Sequence, residues 1–325
     1  MTTAPTRSAF RAVGALLALV LAASLSACVT ASRPDIPWEV LQARYASEDS
    51  RFLDLGGGLV VHYRDQGDPH APILVMVHGF SASLQAWEPW VRRLPDYRVI
   101  TLDLPGHGLT RAPDGYRATM DGYADLIDTV AGRLGAERYV AIGNSMGGAA
   151  VWNLALRHPE HLRGLVLVDS AGWPGARGRG GPPPLVGGLL RSPLGRSLVR
   201  NADPTPMARQ SLPRAYVDRS LVTDALIARY SDLARAPGHR DILISIDSRP
   251  SRPVTPMSFA TMQVPTLVMH GEADRLIPVS DGRGFAAAIP RARLVTYPGV
   301  GHVPMEQIPD RSAADLRSFL QTLAP

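Results

Sequence analysis

The stretch YVAIGNSMGGAAVW, residues 139–152, decides the fold, because it reads as a buried strand, a tight turn and the start of a helix. Ser145 lies in the turn, with Gly143 and Gly147 two residues away on either side. Glycine at these positions removes side chains that would collide where the strand meets the helix. The new helix also presents free backbone N–H groups to an anion formed beside the serine. The pattern therefore predicts that Ser145 is a nucleophile.

A serine hydroxyl needs a base, and the base needs an acid that orients it. On a strand–turn–helix scaffold of this kind the chain order is serine, acid, histidine. His302 ends the sequence YPGVGH and follows the strand-like residues 293–297, so a loop beyond a strand end carries it. We predict His302 as the base. The other histidines after Ser145 are interpreted as surface or structural residues: His158, His161, His239 and His270.

The acid should leave the strand that precedes the His302 strand. Residues 264–270 form a buried-strand pattern, and the sequence GEADRLIP follows it with Glu272 and Asp274 as competing carboxylates. The helix start at the end of GEADRLIP favours Asp274 as the acid. Asp169, which follows the strand-like residues 165–168, is the third candidate at an alternative strand end.

Two backbone N–H donors are needed to bind the oxyanion of an acyl-transfer reaction. The first is Met146, the residue after the nucleophile, and the second should come from the loop after an early strand. Residues 73–77 are that strand, and the loop HGFS places Phe80 as the second donor. Polar residues of the strand-end loops are interpreted as turn-stabilising or loop-organising: His78, Asp103 and His107.

Strand-like and helix-like segments alternate over 51–170 and again over 257–325. This alternation predicts an α/β fold with a mostly parallel central sheet flanked by helices, in which ligands bind at the carboxyl ends of the strands. Glycines 56–58 predict a hairpin, and helices are predicted near residues 85–94, near 120–134 and from the serine turn to about 158. The chosen site residues come from four different strand ends, which supports the assignment.

The alternation breaks over residues 171–256, where prolines separate short helical patterns. We interpret this segment as an inserted helical cap that excludes water and shapes the substrate pocket. Its entry, residues 172–188, is rich in Gly, Pro and Arg and is either a lid hinge or a disordered loop.

Five motifs in register, HGF, DLPGHG, GNSMGG, GEADRLIP and GHVPMEQ, resemble the α/β-hydrolase superfamily over roughly residues 51–325. The resemblance implies a serine hydrolase in which Ser145 attacks, His302 moves the proton and Asp274 orients His302. It implies no metal and no organic cofactor. A serine in the turn argues against the halide- and epoxide-opening branches of the superfamily, which use a carboxylate there.

Hydrolysis of a small-molecule carboxylic ester through an acyl-enzyme is the activity we expect. GNSMGG is also similar to the turn of the meta-cleavage-product hydrolases, which break carbon–carbon bonds, but those enzymes typically carry Trp after the catalytic His, where this chain has Val303. The loop HGF differs from the HGGPG type of the proline iminopeptidases. The alternative of another class is a non-catalytic binding protein on this fold, which fluorophosphonate labelling discriminates.

Composition excludes other classes of function. The chain has 325 residues, of which 45% are hydrophobic and 19% charged, as in an ordinary globular protein. Its formal net charge of +5 comes from scattered arginines, since no lysine is present. There is no aromatic-interleaved basic stripe and no nucleic-acid motif, so we expect no nucleic-acid partner, and no protein partner is inferred.

The N-terminus predicts a membrane anchor. Arg7 and Arg11 precede an apolar run over 12–25, which is too short for a comfortable membrane span and has the length of a signal-peptide core. The run ends in LSAC, which resembles a bacterial lipobox with Cys28 as the lipidated residue. We therefore predict a lipoprotein signal peptide over 1–27, a polar tether over 28–50 and a lipid-anchored protein of the bacterial cell envelope that faces the periplasm or the exterior.

Replacing the lipidated cysteine tests this prediction. Cys28→Ser should abolish acylation and release or misprocess the protein, because the variant lacks the acyl chains that would hold it on the membrane. Metabolic labelling with a fatty-acid analogue measures acylation directly. An unlabelled wild-type protein whose mature N-terminus lies elsewhere would refute the lipoprotein assignment.

Overall fold

A computed structural model of the chain describes residues 33–174 and 192–323. The predicted signal peptide, Cys28 and most of the Gly/Pro-rich entry of the predicted cap lie outside these residues. Among the residues that are described, no helix combines the length and the apolar character needed to cross a membrane.

Eight strands form one sheet in the spatial order β1-β2-β4-β3-β5-β6-β7-β8. The pairs β1–β2 and β2–β4 are antiparallel and all other neighbours are parallel, which confirms the predicted α/β fold with a mostly parallel sheet. The strands are β1 (Ser50–Asp54), β2 (Val60–Gln66), β3 (Ile73–Val77), β4 (Arg98–Leu102), β5 (Tyr139–Asn144), β6 (Leu162–Val168), β7 (Thr266–Gly271) and β8 (Ala292–Tyr297).

The parallel strands lie in the centre of the protein because helices cover both faces of the sheet. Every residue of β5 and of β7 is buried, and both strands are nearly continuous apolar runs. Such runs are typical of parallel strands, whereas strands with one solvated face alternate apolar and polar residues. Two large clusters of buried apolar side chains pack against the sheet.

Twelve α-helices complete the described part of the chain. They are α1 (Trp38–Tyr45), α2 (Glu88–Val91), α3 (Met120–Arg133), α4 (Met146–Arg157), α5 (Pro193–Asn201), α6 (Thr205–Ala215), α7 (Asp224–Ala234), α8 (His239–Ser245), α9 (Pro256–Ala260), α10 (Val279–Ala288), α11 (Pro304–Gln307) and α12 (Pro309–Leu320). Three short 3₁₀ helices span Leu84–Trp87, Pro159–His161 and Arg219–Leu221.

One of the predicted helices differs from the structure. The single helix predicted near residues 85–94 is a 3₁₀ turn, Leu84–Trp87, followed by the four-residue helix α2. Pro89 lies in the first turn of α2, where a missing N–H is tolerated, whereas inside a longer helix it would remove a hydrogen bond. The helices α3 and α4 lie where they were predicted, over Met120–Arg133 and Met146–Arg157.

The segment 28–50, predicted as a polar tether, contains helix α1. Pro37 directly precedes the first helical residue, where its missing N–H removes no helical hydrogen bond. Leu41 is completely buried and packs in a small cluster with Ile36 and Leu233. The part of this segment from residue 36 onward therefore belongs to the folded body.

The described residues divide into two compact units. The smaller one comprises residues 33–34 and 192–203 and contains α5, and within it Arg33 pairs with Asp203 at 3.2 Å. The larger unit contains the whole sheet. In the predicted cap segment, 171–256, the described residues form helices and no strand, while its action as a lid stays a prediction.

The turn between β5 and α4 is closely packed. A Cβ atom at Gly147 would lie 2.3 Å from the carbonyl oxygen of Val77, and one at Gly143 would lie 2.2 Å from the carbonyl oxygen of Gly147. Neither obstacle is a flexible side chain. The start of α4 therefore approaches β3 as closely as two backbones can.

Gly147→Ala should destabilise the protein by about 1–3 kcal/mol, the range found when a packed core is overfilled. Gly132→Ala is the matched control, because a Cβ atom at this exposed helical glycine meets nothing within 4 Å. The control should raise stability by about 0.5–1 kcal/mol. Urea unfolding measures both free energies, and equal stabilities for the two variants would contradict the packing described here.

Candidate active site

Ser145 has an unusual backbone conformation, with φ of 54° and ψ of −118°. Its N–H donates to the carbonyl of Val168, and its own carbonyl accepts from Ala171, both at 3.0 Å. Only two other non-glycine residues in the described chain have positive φ, namely Ser81 at 58° and Asp169 at 45°. All three lie in loops at the carboxyl edge of the sheet, and strain of this kind clusters at functional sites.

The predicted acid and the predicted base are hydrogen-bonded to each other. Nδ1 of His302 lies 2.7 Å from Oδ2 of Asp274, and both side chains are buried. The other oxygen of Asp274 accepts from the N–H groups of Leu276 and Ile277, at 2.7 and 3.1 Å. Burial opposes ionisation of Asp274, but the hydrogen bond and charge of His302 and the two N–H groups outweigh it, so the pKa of Asp274 is lowered.

Asn144 ties the His302 loop to the serine turn. Its side-chain amide donates to the carbonyl of His302 at 3.0 Å and to that of Val168 at 3.2 Å. On the other side, the N–H of His302 donates to the carbonyl of Ala215 at the end of α6, at 2.8 Å. The base is thus held from two directions, next to the residue that precedes the nucleophile.

The loop that carries Phe80 lies against the nucleophile. A Cβ atom at Gly79 would lie 3.0 Å from the Cβ of Ser145. The N–H groups of Phe80 and Met146 make no hydrogen bond to any residue that the structure describes. Two free donors in this position are what an oxyanion requires. The Phe80 side chain itself is half exposed, at 50%.

A buried polar network centred on Asp103 holds this loop. One oxygen of Asp103 accepts from the N–H of Leu84 at 2.7 Å, and the other accepts from the N–H of Leu109 at 2.9 Å and from Nδ1 of His62 at 2.6 Å. Nδ1–H of His78 donates to the carbonyl of Gly79, its own neighbour, while Nε2 accepts from a backbone N–H. The structure thus places Asp103 and His78 in loop-organising positions.

The remaining candidates lie elsewhere or have other partners. Glu272 is exposed and accepts from the hydroxyl of Thr296 at 2.7 Å. His158 and His161 bind Asp125 and Asp128 on the surface side of α3. Both nitrogens of His239 bind backbone carbonyls, and Nε2 of His270 donates to the carbonyl of Ile277. Of the two alternative acids, Glu272 and Asp169, only Asp169 lies beside the predicted acid–base pair.

Two residues of this site, Asn144 and His62, are not among those predicted from the sequence. The available signal for Asn144 was a polar residue at the end of an otherwise apolar strand. His62 offered no such signal, because its contact with Asp103 depends on the pairing of β2 with β4.

Asp169, Asp274 and His302 form the one trio in the described chain whose potential metal-binding atoms lie within 4.8 Å of one another. Asp274 and His302 use these atoms to bind each other. We therefore assign the trio to proton chemistry rather than to a metal ion. The absence of a cofactor stays a prediction.

Comparison with known proteins identifies relatives of this chain. The model of a family described as alpha/beta hydrolase fold matches residues 72–308. A 2-hydroxy-6-oxononadienedioate/2-hydroxy-6-oxononatrienedioate hydrolase from Comamonas testosteroni is 31% identical over 257 residues, which is 74% of this chain and 84% of the relative. Its identity is modest, but the match covers most of both chains.

Two solved structures are also similar. A membrane phospholipase A, described as a bacterial virulence factor, is 26% identical with a TM-score of 0.70, and the match covers 95% of this chain and 97% of that one. An esterase from a Rhodococcus species is 25% identical with a TM-score of 0.68, covering 85% of this chain and all of that one.

Asp274→Asn should lower turnover by about 10⁴-fold, by analogy with the same change in the serine-protease triad, because the imidazole loses the group that fixes its tautomer. Glu272→Gln is the matched control two residues away, and it should leave turnover within threefold of wild type. Steady-state kinetics on an activated ester gives both numbers. If Asp169→Asn is the more damaging change and Asp274→Asn is mild, the acid lies on the other strand.

Proposed function

Because this chain belongs to the α/β-hydrolase family, we propose that it is a serine hydrolase that cleaves carboxylic esters through an acyl-enzyme. The observation that carries the proposal is the hydrogen bond between Asp274 and His302, which Asn144 ties to the strained turn of Ser145. An acid, a base and a strained, half-buried serine at one sheet edge form the arrangement that activates a serine hydroxyl.

In the proposed reaction, His302 takes the proton of the Ser145 hydroxyl as the oxygen attacks the ester carbonyl carbon. The N–H groups of Met146 and Phe80 bind the resulting oxyanion. His302 then gives its proton to the leaving alkoxide, and an alcohol departs from the acyl-enzyme. Water, activated by His302, repeats the sequence and releases the carboxylic acid. Asp274 stabilises the imidazolium ion that forms in both halves.

Two observations favour an ester as the substrate. Val303 follows the base and is buried, so this position has no indole to add to the site. The similar structures at 26% and 25% identity are a phospholipase and an esterase, and the match to the phospholipase extends over nearly the whole of both chains. An apolar pocket beside an oxyanion hole is sufficient for ester hydrolysis.

Carbon–carbon bond hydrolysis is the second candidate function. The curated relatives favour it over ester hydrolysis: besides the Comamonas protein, a 2-hydroxy-6-oxo-6-phenylhexa-2,4-dienoate hydrolase from Burkholderia cepacia is 30% identical. The motif GNSMGG supports the same assignment. This reaction would use Ser145 and His302 as well, but it also needs groups that bind the acid of the dienoate and supply a proton to carbon.

We also propose that Cys28 anchors the enzyme in the bacterial cell envelope, facing the periplasm or the exterior. The sequence LSAC after an apolar run supports this location. Substrates at a membrane surface would then lie within reach of the site.

The substrate experiment uses the protein without residues 1–28. We expect rapid turnover of short to medium p-nitrophenyl esters and little turnover of a 2-hydroxy-6-oxo-dienoate. Ser145→Ala is the control and should lower ester turnover by several orders of magnitude, because triad members act as a unit. A specificity constant for the dienoate that exceeds those for all esters would establish the second candidate. Ser145→Ala turnover within tenfold of wild type would refute both.

A further inference from the structure

A second buried carboxyl group lies directly behind the predicted acid. Asp169 follows β6 and is completely buried, and its Oδ1 accepts from the N–H of Gly271 at 2.9 Å. Its carboxyl group lies beside the Asp274 carboxyl group. One carboxyl oxygen of Asp169, one of Asp274 and one ring nitrogen of His302 all lie within 4.8 Å of one another. Two acids therefore face one base.

The hydrogen-bond donors around the two acids are unequally divided. Asp274 receives donors on both oxygens, from two backbone N–H groups and from His302. Oδ2 of Asp169 receives none from the described residues. A buried carboxylate oxygen without a donor is costly, whereas a carboxylic acid O–H at the same place can itself donate.

The charges near the pair do not compensate a second negative charge. No arginine in the described chain forms an ion pair with either carboxyl group, and the sequence has no lysine. Burial and the neighbouring Asp274 both raise the pKa of Asp169 well above its usual range. Three other titratable groups surround the pair: His270 on β7 interacts with the charge of Asp274, Tyr297 on β8 interacts with that of Asp169, and Asp281 on α10 interacts with His270.

His270 cannot act as the missing cation. Its Nε2 lies 3.6 Å from Asp169 and 3.7 Å from Asp274, but that nitrogen donates to the carbonyl of Ile277 at 3.0 Å. Burial lowers the pKa of His270, which keeps the ring neutral near pH 7. The two acids therefore have a single imidazole, that of His302, to balance them.

We propose that Asp169 is a positioning residue, a neutral carboxylic acid whose O–H donates a hydrogen bond to Asp274 and directs the single negative charge of the pair at His302. The strained backbone of Asp169, with φ of 45°, is fixed by its N–H, which donates to the carbonyl of Met269 at 2.9 Å. This inference rests on the proposed function, because Asp169 acts only through Asp274, the acid of the proposed serine hydrolase.

The first test measures charge. Asp169→Asn keeps a neutral donor and an acceptor in the same place, and asparagine tolerates positive φ. On the full-length protein, the rate of Ser145 phosphonylation by a fluorophosphonate is followed against pH, since its acidic limb reports the ionisation of the base. We expect the midpoint of this limb to move by less than about half a pH unit. A larger fall means that Asp169 carried a negative charge near His302, and this overturns the proposal.

The second test measures positioning. Asp169→Gly removes the donor without adding strain at a positive φ. We expect kcat for p-nitrophenyl butyrate and the phosphonylation rate to fall at least about fivefold, with KM within threefold of wild type. A variant that only melts at a lower temperature and keeps the wild-type kcat contradicts the proposal. If Asp169→Gly does not fold, the pH profile of Asp169→Asn decides alone.

A double-variant cycle separates this inference from the proposed function. In an Asp274→Ala background, Asp169→Gly should change the phosphonylation rate by less than twofold, because its target is gone. A larger additional loss shows that Asp169 acts on His302 without Asp274, and the inference fails. Ser145→Ala is run in parallel, and if that variant is still phosphonylated at the wild-type rate the proposed function itself fails.

Discussion

The close approach of helix α4 to strand β3 is the constraint on which the site depends. With glycine at residue 147, the backbone of α4 begins against the carbonyls of Val77 and His78. The chain can make this turn only with Ser145 in a conformation that L-residues rarely adopt. Ser145 is consequently held at the carboxyl edge of the sheet, next to the first free N–H of the helix. A relaxed turn would lose both features together.

The arrangement of charged groups behind Ser145 depends on this turn. The backbone of His302 is hydrogen-bonded to Asn144, which precedes Ser145, and to Ala215 at the end of α6. The position of its ring therefore depends on the turn. Behind it, Asp274 is kept ionised by its donors even though it is buried. The proposed proton on Asp169 leaves one negative charge, not two, behind the imidazole.

The sequence predicted the parts of this arrangement that depend on local periodicity. The strand patterns and the glycines around Ser145 were sufficient to predict the mostly parallel sheet. The polar residues after each strand predicted Asp274 and His302, which the structure brings together. Contacts between distant segments were not accessible in this way. His62 reaches Asp103 across 41 positions of sequence, through an antiparallel pairing that no local pattern specifies. Helix α1 was missed because its burial depends on Leu233, far along the chain.

The central claim is that a substrate acyl group is transferred to Ser145. The most direct measurement is the mass of the protein after rapid acid quenching of its reaction with an activated ester, followed by peptide mapping. We expect that one acyl group is added per chain, that the modified peptide contains Ser145, and that the adduct forms at the rate of the burst of released alcohol. Modification of another residue, or a burst of alcohol with no covalent adduct on the protein, would contradict it.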